Sequence, residues 1–409
     1  MKILHALAQR PGKTGSGVFL QQLFKAGYEK NYEQAVLAGV PFSDQDPGID
    51  NFDLKNFYPV LFETKQLDFP VVGMSDVMPY PSTKYSSLDE KMYEAYEKAF
   101  KKVIKKAVDE FKPDVVICNH IWLLCGFIKD LYPNLKVLAL CHGTDLRQLE
   151  RSALLTPIVK KTVVNCDYLF ALNKAQEKEI LELHNVKKEQ VITSGSGYNP
   201  KMFFPAKEKR EKRNNTKVKI AYIGKICDYK GVPNLLNALD KTKNYENIQL
   251  NLIGHGNVKE SKTIINSLTS RKTEVNYLGA IAQDELAKFL RTCDIFILPS
   301  FFEGLPLVVI EALASGAKVI CTDLPGLDDF LGEDLKQLKA IRYIKMPRLK
   351  NIDSPFEEDI EEFESDITKN IDIIYDEIIE NCEYKIDEVI KTLEDKTWHG
   401  LFNRLKKYF

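Results

Sequence analysis

The chain has 409 residues, 44% of them hydrophobic and 28% charged, which is the balance of a folded globular protein. That length exceeds one ordinary core and suits two domains of about 200 residues each. Lys and Arg number 57 against 58 for Asp and Glu, so no basic excess marks a dedicated nucleic-acid binder. No run approaches the ~20 apolar residues of a membrane span.

Residues 2–7 (KILHAL) read as a buried strand, too short for the apolar stretch of a secretory signal and followed by no small-residue cleavage site. Further strands are expected at 34–39, 115–119, 136–141, 168–172 and 191–194, with helices at 19–30, 88–111 and 175–183 between them. Residues 41–90, rich in Pro, Asp and aromatics, read either as long loops over the first domain's ligand-facing edge or as a surface insertion. Residues 199–216 hold two prolines and a dense charge cluster without apolar periodicity, as an interdomain linker does. The rhythm then repeats, with strands at 217–223, 248–253, 275–278, 295–298 and 317–322. Residues 351–372 read as an acidic helix with a solvated face. A last helix at 385–408 carries Trp398 and Phe402, aromatics expected to pack across both domains.

Short apolar runs alternating with amphipathic stretches define an α/β protein of two Rossmann-like, doubly wound domains. The expected division is 1–198, joined by the C-terminal helix of about 385–409, and 199–384. The eight cysteines are scattered, form no C-x-x-C pair and sit partly inside apolar runs, as reduced thiols of a cytoplasmic protein do.

The most informative stretch is 296–326, FILPSFFEGLPLVVIEALASGAKVICTDLPG. A strand ends at Pro299, a loop holds Glu303 and Gly304, and Pro306 opens a helix that reaches Glu311. Both carboxylates can then face one ligand over the helix N-terminus, where the dipole and the amides of Leu305, Leu307 and Val308 favour an anion. A diphosphate held by amides, with hydroxyls held by carboxylates, describes a sugar nucleotide. Taken singly, Glu303 reads as a loop acid and Glu311 as a first-turn acid.

Three further segments point the same way. In 221–231 (AYIGKICDYKG), Lys225 and Lys230 bracket a turn at a strand's C-terminal end, placed to offset charge on a departing diphosphate. In 138–147 (LALCHGTDLR), His142 can offer its ring to a substrate hydroxyl, while Asp145 could serve the site or simply cap a helix. In 11–20 (PGKTGSGVFL), Gly15 and Gly17 open a helix whose amides could face phosphate or sugar. The P-loop order is absent there, which excludes the ATPase reading. Asp44-Gln45-Asp46 reads as turn chemistry.

Together these motifs resemble the retaining GT-B glycosyltransferases of family 4. The block E-G-L-P-L-V-V-I-E is spaced as E-x7-E and flanked by P-S-x-x-E-G and E-A-L-A-S-G-A-K-V-I. The resemblance implies two domains facing a cleft, with the C-terminal helix crossing between them. It implies that Glu311 binds the nucleotide ribose, that Glu303 lies beside the donor sugar, and that the backbone of Gly304, Leu305, Pro306 and Leu307 lies near sugar and phosphates. G-K-I-C-D-Y-K-G resembles the family's G-R-x4-K-G phosphate clamp, with Lys225 offering a point charge where the family has a planar Arg fork. His142 would contact the donor sugar or stabilise the transition state, and Gly15 and Gly17 replace the family's adjacent glycines in G-S-G form. Gly254, in I-G-H-G, would lie near the nucleotide, and Ala280 or Ile281 would read the base through the backbone. His120, in a segment similar to p-D-v-v-h-x-H, would face the acceptor or serve structure, and Asp145 stays open in the same way. After Gly326 the usual p-E-[IV] run is replaced by Leu327-Asp328-Asp329. The likeness is dense from 217 to 326 and thin elsewhere.

The reaction implied is metal-independent, cofactor-free hexosyl transfer with retention, from a nucleoside diphosphate sugar, UDP-linked by family frequency, to a hydroxyl acceptor. The acceptor could be a glycan, a lipid-linked carrier or a small molecule, in surface polysaccharide or glycolipid assembly. The rivals are a UDP-sugar epimerase on the same fold and a non-catalytic sugar-nucleotide-binding protein. The lysine-rich stretch 98–112 could touch anionic headgroups or be a solvated helix face. The expected place is the cytoplasm, with peripheral contact at the inner membrane face left open.

Overall fold

The computed structural model describes residues 1–12, 14–50, 52–75, 78–206, 217–256, 258–351 and 353–409. Lys13 and residues 207–216 of the expected linker lie outside them. The chain divides into two compact units, Met1–Gly195 with Trp398–Phe409, and Ser196–Thr397.

The first unit is built on β1 (Lys2–Leu7), β2 (Glu33–Pro41), β3 (Phe57–Phe62), β4 (Val72–Gly73), β5 (Thr83–Lys84), β6 (Val115–Asn119), β7 (Lys136–Leu140), β8 (Tyr168–Ala171) and β9 (Val191–Thr193). Seven of these form one sheet in the order β3-β2-β1-β6-β7-β8-β9, while β4 and β5 pair separately. Every pairing is parallel. β1 sits at the centre, with Leu4 beside Ala35 on one side and Val116 on the other. Covered on both faces, it is buried without alternation from Ile3 to Leu7, His5 included.

The second unit carries β10 (Val218–Ile223), β11 (Ile248–Ile253), β12 (Glu274–Gly279), β13 (Ile295–Leu298), β14 (Lys318–Thr322) and β15 (Ile341–Ile344). They form a parallel sheet in the order β12-β11-β10-β13-β14-β15. From β10 the chain builds outward through β11 and β12, then returns to lay β13 on β10's other side. The strand order therefore reverses between β10 and β13, and in the first sheet between β1 and β6. In open α/β sheets, ligands bind outside the carboxyl ends of strands at such a reversal.

Three regions differ from the sequence reading. Within 41–90, expected as loops, β3 pairs in register with β2 from Val36–Phe57 to Pro41–Phe62. Its Pro59 argues against a strand in sequence, but β3 is the edge of the sheet, where a missing N–H costs little. The helix expected over 385–408 is two helices, Ile386–Thr392 and Trp398–Lys406, and only the second belongs to the first unit. The break falls where Thr397 turns extended and bridges Tyr198. Trp398 and Phe402 pack within the first unit, Trp398 against Phe19 and Phe402 against Tyr32. The acidic segment becomes helical at Ile360, after one 3-10 turn, and runs to Ile379. That helix is not merely a solvated face: Phe363, Ile367 and Ile371 are core, and buried Glu364 accepts hydrogen bonds from Asn234, Asn237 and Lys241.

Candidate active site

In the second unit, the turn leaving β10 is fixed by backbone. The Gly224 amide donates to the Ile253 carbonyl at 2.9 Å and the Ile226 amide to His255 at 3.0 Å, which ties the turn to the end of β11. Gly254 faces the same turn at φ +135°, and a Cβ there would stand 1.9 Å from the Gly224 oxygen. Glycine is required at that approach. Lys225 is exposed on the turn. Lys230 closes it in a single 3-10 turn, Asp228–Lys230, before Gly231 in the left-handed region starts the helix Val232–Leu239.

The segment after β13 comes to meet Lys230. Its ammonium lies 2.6 Å from Glu303 Oε1 and donates to the Phe302 carbonyl at 2.8 Å, while the Ser300 hydroxyl donates to the same carboxylate oxygen at 3.0 Å. Two motifs more than seventy residues apart thus share one ion pair across the strand reversal. The helix that follows is Leu307–Ala314, with Pro306 as its N-cap and no side chain capping it. Pro306 therefore precedes the helix instead of opening it. The first-turn amides of Leu307 and Val308 have no intrahelical carbonyl to reach, whereas Val309 donates to the Pro306 carbonyl at 3.0 Å. An uncapped N-terminus beside a lysine attracts an anion.

Glu311 lies one turn into that helix and takes a different partner. Gln283 donates to it at 3.5 Å, the outer limit of a hydrogen bond. Gln283 opens the helix Gln283–Leu290, two residues after the turn that carries Ala280 and Ile281. The contact joins Glu311 to the loop proposed to read the base. Burial raises the Glu311 carboxyl from 4.5 to about 7, against a smaller opposing pull from Gln283.

In the first unit, the corresponding reversal lies beyond β1 and β6. The Thr14 hydroxyl accepts from the Gly17 amide at 3.1 Å and caps the helix Gly15–Tyr28. A Cβ on Gly17 would meet the Gly12 oxygen at 2.2 Å, whereas Gly15 is exposed with nothing within 4 Å. Gly17 thus answers a packing need of its own loop. Asp44 pairs with Arg10, and Asp46 accepts from the Gly48 amide at 2.8 Å, an Asx turn.

His142, at the end of β7, places Nε2 3.1 Å from Asn119 Oδ1, and its ring meets Phe19 edge-on at 4.9 Å. Burial lowers its pKa to about 3, so the ring is neutral. Asp145 is fully buried and accepts from the amides of His142 at 3.1 Å and Ile121 at 2.9 Å, locking the β6 and β7 loops together. His120 is 4% exposed with φ +78°, and its ring meets that of His142 at 4.8 Å rather than open solvent. Neither His120 ring nitrogen has a hydrogen-bond partner among the described residues.

Sequence reasoning singled out neither Tyr222, Ser300 and Gln283 nor the role of Asn119 as a partner of His142. Each acts on a motif residue, and strand or loop position alone gives such a residue no signature. Among the described residues no three His, Cys, Asp or Glu side chains gather as a metal site would. Among those residues, too, no helix is long and apolar enough to cross a membrane.

Two parallel doubly wound sheets in succession are the fold of the GT-B glycosyltransferases, and solved structures bear this out over the full chain. The lipopolysaccharide outer core galactosyltransferase WaaB superposes with a TM-score of 0.63 at 14% identity, covering 100% of this chain and 99% of that one. HepE of Anabaena, solved with UDP and glucose, gives 0.63 at 14% identity, covering 100% and 98%.

Residues 203–342 match the family model described as glycosyl transferases group 1. The N,N'-diacetylbacillosaminyl-diphospho-undecaprenol alpha-1,3-N-acetylgalactosaminyltransferase of Campylobacter jejuni is 31% identical over 143 residues, 33% of this chain and 36% of that protein. The chain spans less than half the length of the first curated relatives it matches.

Proposed function

We propose that the protein is a retaining glycosyltransferase of family 4 that moves a hexosyl group from a nucleoside diphosphate sugar, UDP-linked, to a hydroxyl acceptor. The observation that carries the reading is the Lys230–Glu303 pair at 2.6 Å beside a helix N-terminus that no side chain caps. Fixed cations and amides at that place can grip a diphosphate, and the nearby carboxylates can hold hydroxyls.

In this reading Lys225, Lys230 and the amides of Leu305 and Leu307 take up the charge that grows on the departing diphosphate. Donor phosphates entering the site compete with Glu303 for Lys230 and free that carboxylate for the sugar. Gly304 and Pro306 bring the backbone close to the sugar and phosphates. Glu311 binds the ribose, Ala280 or Ile281 reads the base, and Gly254 shapes the floor beneath the nucleotide. Neutral His142 contacts the donor sugar or stabilises the transition state, and Gly15 opens a helix whose amides face phosphate or sugar. Retention follows if the leaving phosphate itself takes the acceptor proton on the face from which it departs. No metal is called upon in this scheme. His120 and Asp145 serve the acceptor side through the ring and backbone of His142. The relative from Campylobacter jejuni, whose name describes transfer to an undecaprenol-linked sugar, supports a lipid-linked acceptor among the alternatives.

The test is incubation with UDP-, GDP- and ADP-sugars, with and without a panel of lipid-linked, glycan and small hydroxyl acceptors. Nucleoside diphosphate released mainly when acceptor is present, with the product anomer matching the donor, supports the reading. Release without acceptor points to an epimerase, and no release with any pair points to a binding protein. Glu311→Ala should abolish transfer in a folded protein; turnover near that of the parent would overturn the assignment of the site.

A further inference from the structure

The turn that carries Lys225 has a second support, made by a side chain. Tyr222 lies in β10 with no exposed surface, and its hydroxyl donates to the Lys225 carbonyl at 2.7 Å. The same oxygen would stand 2.9 Å from a Cβ on Gly224, so the phenol fills the inside of the turn that glycine leaves open. Burial holds the phenol well above its usual pKa, so the oxygen keeps its proton and remains a donor.

We propose that Tyr222 is a positioning residue for the donor phosphates: its hydroxyl, through the Lys225 carbonyl, sets where the Lys225 ammonium stands. A lysine side chain is a flexible point charge on a four-carbon stem. The family-type arginine can find a phosphate by its own fork, whereas a lysine depends on the placement of its backbone. The backbone contacts to Ile253 and His255 hold the flanking residues Gly224 and Ile226, while the carbonyl of Lys225 itself accepts from the Tyr222 hydroxyl at 2.7 Å and, farther off, from the Cys227 thiol at 3.7 Å. The inference rests on the reading of Lys225 as part of a phosphate clamp.

The experiment measures binding to the full chain by calorimetry, with UDP, GDP and ADP as direct ligands and the matching nucleosides by competition. The tightest diphosphate and its nucleoside are carried into Lys225→Ala, Tyr222→Phe and the double variant, with thermal unfolding checked for each. Lys225→Ala should weaken the diphosphate about tenfold, the worth of one well-placed charge contact. Tyr222→Phe keeps the ring and removes one hydrogen bond, so the diphosphate should weaken about three- to fivefold with the nucleoside unchanged. The double variant should be no weaker than Lys225→Ala, because the tyrosine acts only through that lysine.

Tyr222→Phe binding like the parent, losses that multiply in the double variant, or an equal loss for the nucleoside would each overturn the inference while leaving the clamp standing. A harmless Lys225→Ala, or no diphosphate binding at all, would overturn the clamp reading and the inference with it.

Discussion

Lys230 Nζ lies 2.6 Å from Glu303 Oε1, in a site where the two side chains are 12% and 21% exposed. The pair neutralises, within the protein, the cation proposed for the donor phosphates and the acid proposed for the donor sugar. Removing one partner leaves the other's charge partly buried. Lys230→Met should therefore cost about 1–3 kcal/mol of stability, most of which Lys230→Met with Glu303→Gln should recover. Activity should not follow stability: both variants should lose at least about 100-fold in kcat/KM, because neither supplies a cation to the leaving group. Denaturant titration beside initial rates separates the two effects.

Glu311 links stability to pH. Its carboxyl titrates at about 7 in the folded chain against 4.5 in the open one. A raised acid stabilises the fold fully below the lower value and loses that contribution as pH rises through the higher. The ligand-free protein should weaken between about pH 4.5 and 7, by on the order of 3 kcal/mol from this group. Glu311→Gln should flatten that part of the profile, which urea titrations at pH 5, 6, 7 and 8 would show. An unchanged slope in the variant would assign the dependence to other groups.

His142 should add nothing to the pH dependence of rate near neutrality. Burial lowers its pKa to about 3, so the imidazole stays neutral from pH 5 to 9. His142→Ala should lower kcat by about 100-fold or more while leaving the shape of the pH–rate profile in that range intact. Disappearance of an acid limb near pH 6 in the variant would show that the ring ionises during turnover.

The two glycines that open the first helix should respond in opposite directions. A methyl on Gly17 would drive into the Gly12 backbone at 2.2 Å, whereas Gly15 has open space around it. Gly17→Ala should destabilise by roughly 2–4 kcal/mol, in line with other substitutions that force backbone apart. Gly15→Ala should be neutral or stabilising by up to about 1 kcal/mol. Thermal unfolding of the two variants checks both, and a large loss for Gly15→Ala would mean that its loop moves on folding or binding.

Much of this protein was readable as a string. Buried parallel strands are short apolar runs, so β1, β6, β11 and β13 appear in the sequence at the residues where they fold. The E-x7-E block and the paired lysines were visible because each motif is contiguous and each residue type has a chemistry of its own. The sequence also misled where a local signal met a tertiary exception. Pro59 hid an edge strand, and continuous helical periodicity from 385 hid the break at Thr397. Local pattern could not report that Lys230 and Glu303 face each other, that Glu311 turns to Gln283, or that Tyr222 props Lys225. The first arises because strands distant in the chain become neighbours across a reversal in sheet order, the second because two helices after different strands meet, and the third because the turn folds back over its own strand. Local order is set by side-chain polarity and backbone preference along the chain, and the sequence carries both in full. Partnership at the site is set by which loops the sheet brings to one edge, and by the burial that follows. That is decided only when the whole sheet is assembled.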